Sequence, residues 1–240
     1  MKTVTFKYPL EFKFASHPVP ASKAIPDYWK QASADPNEDG YHNGPWNTTV
    51  KSCLPFLDAM TQGYIIPLWA DLHVKSSQNS AGEIEPIFTW GAHHFTVIEK
   101  HTPDQTRTVP AIQRGLGDVA FKFVSPYIIE TPPGYSSLFV RPLNNAHEYI
   151  DMFSAVVSTD VYPNNINFPF AWTGPSDYEG VIPIGTPVIQ VIPFKRVDFR
   201  HEVKEISEAD DNLMRAGRNI VAGTFRGCYK RLWRQQVKSI

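Results

Sequence analysis

Acidic and histidine side chains in the first half of the chain are the residues best suited to bind a metal ion. Asp71 and His73 lie two residues apart in a predicted β-strand, so their side chains share one face of the sheet. His93, His94 or His147 could complete the set of two histidines and one carboxylate that non-haem iron oxygenases use. The chain contains no His-x-His or His-x-Asp pair, which favours ordinary surface or hydrogen-bonded histidines. We therefore predict no metal or other cofactor, with a metal site at Asp71, His73 and His94 as the alternative.

Motifs for nucleophilic catalysis or phosphate binding are missing from the sequence. Cys53 and Cys228 are the only cysteines, and neither has a histidine close in sequence. Cys53 lies in an apolar run, where a buried and inert thiol is expected. The chain has no Gly-x-Ser-x-Gly turn, no Gly-x-Gly-x-x-Gly segment and no Walker-type loop. These observations favour a protein that is not an enzyme.

Most of the chain consists of short β-branched and aromatic runs separated by proline, glycine and asparagine. This pattern predicts an all-β fold, either a sandwich or jelly roll or a barrel. Residues 3–14 alternate between apolar and polar side chains, which predicts one strand with a buried face. Residues 26–30 are predicted to form one helical turn. Further strands are predicted at 64–74, 84–90, 95–98 and 118–124, with a hairpin turn at 76–82.

The composition excludes several classes of protein. Of the 240 residues 42% are hydrophobic, which is enough for a substantial core, and the net charge of −1 gives no reason to expect a nucleic-acid partner. No apolar run approaches the length of about 18 residues that a membrane-spanning helix needs. The N-terminal segment lacks the apolar stretch of a signal peptide. We therefore expect a protein that neither enters a membrane nor is secreted.

The C-terminal part of the chain differs from the rest. Residues 207–210 form a capping box, which predicts the start of an amphipathic helix over 207–221. Residues 223–240 contain no acidic residue but combine basic and aromatic side chains, so we expect this tail to dock on a neighbouring subunit or another protein. Folding back on its own domain is the alternative. We divide the chain into a single β domain, residues 1–200, and a helix with a basic tail, residues 201–240, packed on that domain or on a partner.

Ordered short motifs along most of the chain resemble an uncharacterised family of tailed, often T4-like, bacteriophages and, more remotely, of bacteria. The motifs are Cys53-Leu54-Pro55, Gly63-Tyr64, Thr131-Pro132-Pro133-Gly134-Tyr135-Ser136, Pro142-Leu143-Asn144, Asp160, Phe168-Pro169-Phe170, Gly185-Thr186-Pro187, Gln190, Pro193 and Lys195-Arg196. This resemblance implies a phage origin, and hence a location in the cytoplasm of the infected host or in the virion. It implies no known activity.

A second, local resemblance is to dUTPase-like barrels. Residues 185–190 resemble their Gly-x-x-Ile-Ala-Gln run, and residues 156–162 resemble their Val-Ile-Asp-x-Asp-Tyr run. The segment from Pro133 to Arg141 resembles the one that leads to their phosphate-binding Arg-Ser pair. The resemblance implies a barrel with Asp160 and Tyr162 as catalytic candidates. The ligand-binding candidates are Arg141, Asn144, Asp160 and Gln190.

Two departures from the dUTPase-like pattern weaken a prediction of hydrolysis. Ser158 stands where that family has the aspartate that positions the attacking water, and a serine cannot take up a proton at neutral pH. Pro142 follows Arg141, so the hydroxyl that helps to hold phosphate is missing.

The resulting prediction is a phage-derived, non-enzymatic β domain that acts as a virion or assembly component or as a binding module. Its expected partners are further copies of itself or other phage proteins, reached through residues 223–240. The alternatives are a divergent dUTPase-like nucleotide hydrolase and a metal-dependent jelly-roll oxygenase.

Overall fold

The computed structural model describes residues 2–33, 49–78, 80, 82, 84–91, 95–106, 108–110, 112 and 119–223. Strands predominate in these ranges, which confirms the all-β prediction. The strands, in chain order, are β1 (Thr5–Lys7), β2 (Val19–Pro20), β3 (Tyr64–Pro67), β4 (Leu72–Gln78), β5 (Ile84–Thr89), β6 (Ile98–Lys100), β7 (Phe121–Phe123), β8 (Ile128–Glu130), β9 (Tyr135–Val140), β10 (Ile150–Met152), β11 (Ala155–Val157), β12 (Phe168–Trp172), β13 (Glu179–Ile182) and β14 (Pro187–Lys195).

The described helices are short except for the last one. They are α1 (Asp27–Gln31), α2 (Leu54–Thr61), α3 (Pro103–Thr106) and α4 (Glu208–Gly223), with additional 3-10 turns at Leu10–Phe12, Ala21–Lys23 and Val50–Ser52. None of the helices within the described ranges is both long and apolar enough to cross a bilayer.

The described strands form four antiparallel sheets. Their strand orders are β11-β9-β14-β3-β2, β10-β12-β7-β6, β13-β4-β5 and β1-β8. Each order has two open ends, so none of these sheets closes into a barrel among the described strands. The long strand β14 lies at the centre of the five-stranded sheet, paired with β9 on one side and β3 on the other.

Aromatic side chains on alternate residues join the sheets into a sandwich. Phe168 of β12 lies 5.3 Å from Phe139 of β9, centroid to centroid, which connects the four-stranded sheet to the five-stranded one. Phe121 of β7 lies 4.9 Å from Phe88 of β5 in an edge-on contact, which connects the four-stranded sheet to the three-stranded one. Because side chains alternate between the faces of a strand, Phe168, Phe121 and their alternate neighbours enter one core.

The strand predicted over residues 3–14 is wrong beyond Lys7. Only Thr5–Lys7 pairs as a strand, with β8. Pro9 ends it and precedes the 3-10 turn, since a proline has no amide to donate to a ladder. Phe12 is buried, whereas Phe14, on the same face of the predicted strand, is exposed.

The strand predicted over residues 64–74 is in fact two strands in two sheets. β3 belongs to the five-stranded sheet and β4 to the three-stranded sheet. Between them, the Leu68 amide donates to the Thr186 carbonyl at 2.8 Å, and the Gly185 amide donates to the Leu68 carbonyl at the same distance. The chain therefore crosses from one sheet to the other at residues 68–71.

Elements predicted from neighbouring residues agree with the structure, with the exception of the environment of Cys53. The hairpin is confirmed by the antiparallel pairing of β4 with β5, and the helical turn at 26–30 by α1. The amphipathic helix is confirmed by α4, whose first turn is capped by Ser207: its Oγ accepts from the Asp210 amide at 3.1 Å and donates to the Asp210 carboxylate at 2.8 Å. Cys53, however, is exposed and not buried, because it immediately precedes α2 instead of lying in a core strand.

The described residues fall into two compact units. The first comprises residues 2–24 and 60–196 and contains all the strands named above. The second comprises residues 25–33, 49–59 and 197–223 and contains α1, most of α2, and α4. The division into a β domain, residues 1–200, and a helix with a tail, residues 201–240, stays a prediction, and residues 224–240 lie outside the described residues.

Candidate functional site

Asp160 is held by an arginine that the sequence analysis did not select as a site residue. Arg196 follows β14, and its Nη1 donates to Asp160 Oδ1 at 2.8 Å while its Nη2 donates to Oδ2. The Gly134 amide also donates to Oδ2, at 2.8 Å. Gly134 has a φ of 82°, a left-handed conformation that glycine adopts without strain. We call this arrangement of Asp160, Arg196 and Gly134 the latch.

The latch keeps the Asp160 carboxylate ionised. The hydrogen bonds from Arg196 and, secondarily, from the Gly134 amide lower the pKa of Asp160 to about 2, although desolvation opposes the shift. The same pairing raises the pKa of Arg196. A carboxylate that is committed to three donors is poorly suited to act as a general base, because protonation would break those bonds.

Three buried hydroxyl groups form a hydrogen-bonded cluster at Thr159, the residue that precedes Asp160 of the latch. Thr159 Oγ1 lies 2.8 Å from Thr131 Oγ1 and 2.9 Å from Ser137 Oγ. These contacts join the turn after β11 to the start of β9. The turn therefore has a fixed conformation in which Val161 and Tyr162, the second catalytic candidate, are exposed.

Gln190, in the middle of β14, is fully buried and has internal partners for both ends of its amide. Its Oε1 accepts from the Leu143 amide at 2.7 Å, and its Nε2 donates to the Gln62 carbonyl at 2.8 Å. Leu143 precedes Asn144, whose φ of 56° places it in the left-handed region of a tight turn. The structure thus brings Gln190 close to the Asn144 turn, and gives Gln190 a structural role.

Arg141 has a different carboxylate partner. Its Nη1 lies 3.7 Å from Asp151 Oδ1, at the surface of the first unit. The contacts of Asp160, Gln190 and Arg141 therefore involve three different sets of partners.

The candidate metal ligands have structural contacts or lie outside the described residues. Asp71 Oδ1 accepts from the Ile184 amide at 2.7 Å, which fixes the crossing between β3 and β4. His73 is exposed on β4. His147 is partly buried, its Nδ1 accepts from the Tyr149 amide at 3.2 Å, and burial lowers its pKa. His93 and His94 are not among the described residues, within which no three histidine, cysteine or acidic side chains are grouped as metal ligands.

A cleft of about 730 Å³ lies beside β1 and β6 in the first unit. This volume falls within the range of small-molecule sites, about 300–1,000 Å³. Apolar residues of its lining are Phe12, Phe95, Val124, Pro126 and Ile128, and polar ones are Glu11, Thr96, Glu99, Asn164 and Asn165. The mixture suits a ligand that combines an apolar face with hydroxyl groups.

The segment that follows β14 exposes apolar side chains. Residues 197–206, which we call the arm, belong to no helix, strand or turn. Phe199 is 86% exposed and Val203 is 93% exposed, and charged residues alternate with them. Sequence reasoning missed the arm, although its alternating pattern over 197–204 is the signal that indicates a strand with one apolar face.

Two comparisons, with protein-family models and with curated proteins, bear on the origin of this chain. No family model matches it, and no curated protein matches it significantly. The resemblances to a phage family and to dUTPase-like barrels therefore stay predictions.

Proposed function

We propose that this chain is a non-enzymatic β domain that serves as a virion or assembly component and docks on its partners through the arm and helix α4. The observation that carries the proposal is the arm itself. It presents Phe199, Val203 and other apolar side chains to solvent in a segment that pairs with no strand among the described residues. Several large apolar side chains exposed within one short segment indicate a candidate interaction site.

The alternation of the arm indicates how it binds. An extended peptide that adds to a sheet edge gains affinity from main-chain hydrogen bonds and specificity from every second side chain. Within residues 197–204, Val197, Phe199 and Val203 share one set of alternate positions with His201, and charged residues occupy the other set. The apolar set would enter the interface while the charged set stays hydrated.

Helix α4 extends the docking element. Leu213 and Met214 are exposed on its surface. The cap at Ser207 marks the start of the helix directly after the last residue of the arm. The arm and the helix are therefore consecutive, and we propose that both bind the partner. The predicted docking of residues 223–240 falls almost entirely outside the described residues and would extend the same element.

The contacts of the predicted site residues also support a non-enzymatic function. Asp160 is held in the latch, the Gln190 amide is used at both ends, and Asp71 holds the Ile184 amide. In each case the polar group stabilises the chain's own turns. A catalytic group needs to be available to a substrate instead.

The test compares particles from cells infected with a phage that encodes the native chain or one of two variants. We expect the native chain to band with the particles in a density gradient, and the double variant Phe199→Ser/Val203→Ser to remain unbound. The matched control is Phe14→Ser, because Phe14 is equally exposed, at 93%, but lies in the first unit. Banding of the double variant, or absence of the native chain from the particles, contradicts the proposal.

The cleft supports a second candidate function, as a module that binds a small ligand with hydroxyl groups and an apolar face. Replacing Thr96, which lines the cleft, by tryptophan would fill part of its volume. We expect a panel of neutral sugars to raise the melting temperature of the native chain and not of the Thr96→Trp variant. Equal shifts in both proteins, or none in either, contradict this function.

A further inference from the structure

The cleft beside β1 and β6 is built by four segments that all belong to the first unit. They are residues 7–12, 95–99, 124–128 and 164–165. The Val124 amide donates to the Val97 carbonyl at 2.9 Å, and Ile128 forms an isolated antiparallel bridge with Asn165. These contacts join three of the four segments, so most of the cleft wall is preformed, as is usual for a small-molecule site.

Aromatic side chains of the remaining segment, residues 7–12, complete the wall. The Phe12 ring lies 4.6 Å from the Phe95 ring, centroid to centroid, and Phe12 is only 5% exposed. The Tyr8 ring packs on the His17 ring at 4.2 Å, yet Tyr8 remains 42% exposed. We call Tyr8, Phe12 and Phe95 the aromatic wall of the cleft. The faces of such rings are electron-rich and attract cations.

One carboxylate in the cleft lining lacks a partner among the described residues. Lys7 pairs with Glu130. Glu99 pairs with Lys122 at 3.1 Å. The Glu11 carboxylate has neither an ion pair nor a hydrogen bond within the described part of the chain. The charge left over in this lining is therefore the negative charge of Glu11.

This charge favours one class of ligand. A neutral ligand that covers Glu11 would remove water from the carboxylate without giving it a charged partner, which costs free energy. A protonated amine would replace that water with a charge-assisted hydrogen bond. The aromatic wall favours the same choice, because its rings attract a cation.

Uncharged polar groups of the lining are suited to hydroxyl groups. The Thr96 hydroxyl and the Asn164 amide have no hydrogen-bond partner among the described residues. Asn165 donates from its Nδ2 to the Ser125 carbonyl at 3.0 Å, which leaves its Oδ1 as an acceptor. A hydroxyl group both donates and accepts, so it matches this mixture of donors and acceptors.

We infer that the cleft binds a sugar that carries a protonated amino group. The amine pairs with Glu11, the hydroxyl groups bind Thr96 and Asn164, and the apolar face of the ring packs against the aromatic wall. This inference rests on the second candidate function, a module for hydroxylated ligands, and adds the charge that selects among them.

Calorimetric titration of the full chain with three matched ligands tests the inference at about pH 6, where an amine is protonated. Glucosamine has the amine and the hydroxyl groups, glucose has a hydroxyl in place of the amine, and cyclohexylamine has the amine without hydroxyl groups. We expect the Kd of glucosamine to be about fivefold lower than that of glucose, the effect of an ion pair that water partly screens. Cyclohexylamine should bind more weakly than glucosamine. Glucose or cyclohexylamine that binds as tightly as glucosamine overturns the inference.

Glu11→Gln removes the charge and keeps the size of the side chain. It should raise the Kd of glucosamine about fivefold and leave the Kd of glucose unchanged, so the preference disappears. The matched control is Glu179→Gln, which removes the same charge from β13, outside the cleft, and should keep the preference. Loss of the preference in both variants, or in neither, overturns the inference.

Thr96→Trp separates this inference from the function on which it rests. We expect the variant to lose binding of both glucosamine and glucose. If the native chain binds the two sugars equally and Thr96→Trp abolishes both, the second candidate function stands and the inference is overturned. A native chain that binds neither glucosamine nor any neutral sugar, or binding that Thr96→Trp leaves intact, contradicts both.

Discussion

Gly63 allows a quantitative test of how the five-stranded sheet is held together. It directly precedes β3, its φ is +65°, and its carbonyl accepts from the Ala21 amide at 3.0 Å. A Cβ added here would lie 2.0 Å from the Val191 carbonyl oxygen and 3.1 Å from Ile192 Cα. Both atoms belong to the backbone of the central strand β14, so no side chain can move aside to relieve the clash.

The expected cost of Gly63→Ala has two parts. A left-handed backbone costs a residue with a Cβ about 1–2 kcal/mol. Overpacking that forces a backbone shift costs about 1–3 kcal/mol more. The free energy of unfolding should therefore fall by about 2–5 kcal/mol, a large share of the roughly 5–15 kcal/mol typical of a folded domain.

Gly134→Ala is the matched control for this prediction. Gly134 has a similar φ, +82°, but a Cβ added there has no atom within 4 Å. Only the conformational cost of about 1–2 kcal/mol applies. Urea unfolding followed by tryptophan fluorescence measures both variants, since Trp69 and Trp172 are buried in the core of the first unit. Equal losses in the two variants, or no loss in Gly63→Ala, would refute the close approach of β3 to β14.

Four further predictions concern the latch, nucleotide hydrolysis, the metal candidates and the helix cap. Because the folded pKa of Asp160 is lowered to about 2, against about 3.9 in an unfolded chain, its stabilising contribution is present above about pH 4 and is lost as the pH falls toward 2. In urea unfolding, Asp160→Asn should flatten this acid dependence, and an unchanged pH profile would contradict the latch. We also expect the native chain to hydrolyse no deoxynucleoside triphosphate. Turnover that Asp160→Asn abolishes would favour the dUTPase-like alternative. Protein purified without added metal should contain no stoichiometric iron or zinc by elemental analysis, and about one equivalent, lost in His73→Ala, would favour the oxygenase alternative. Ser207→Ala should lower the stability of α4 by about 1 kcal/mol, which circular dichroism at neutral pH would show as lower helical ellipticity. The control is Ser154→Ala, because Ser154 lies outside any helix. Equal ellipticity of the native chain and both variants would contradict the cap.

Predictions based on neighbouring residues were the most reliable ones. The cap at Ser207 involves residues three apart, and the hairpin joins strands that follow each other directly. Such contacts can be predicted from the local sequence, because few residues separate the partners and the pattern of polar and apolar positions fixes the geometry. The alternating pattern of residues 3–14 misled because Pro9 ended the strand.

The site could not be predicted in the same way. Arg196 and Asp160 are 36 residues apart, and nothing near either of them in sequence indicates that they pair. The Leu143 amide and Gln190 are separated by 47 residues. A residue that matches a catalytic motif can therefore be occupied by a distant partner, which only the folded chain brings to it.

The sequence alone determined the all-β class, the capped helix α4 and the prolines that interrupt the strands. These features follow from residue periodicity and local backbone chemistry. Only the tertiary structure decided which strands share a sheet, that Asp160 is held by Arg196, and that the arm pairs with no strand among the described residues. The physical reason is that strand pairing and burial depend on contacts between distant segments. Periodicity shows which side of a strand is apolar, but not what covers it.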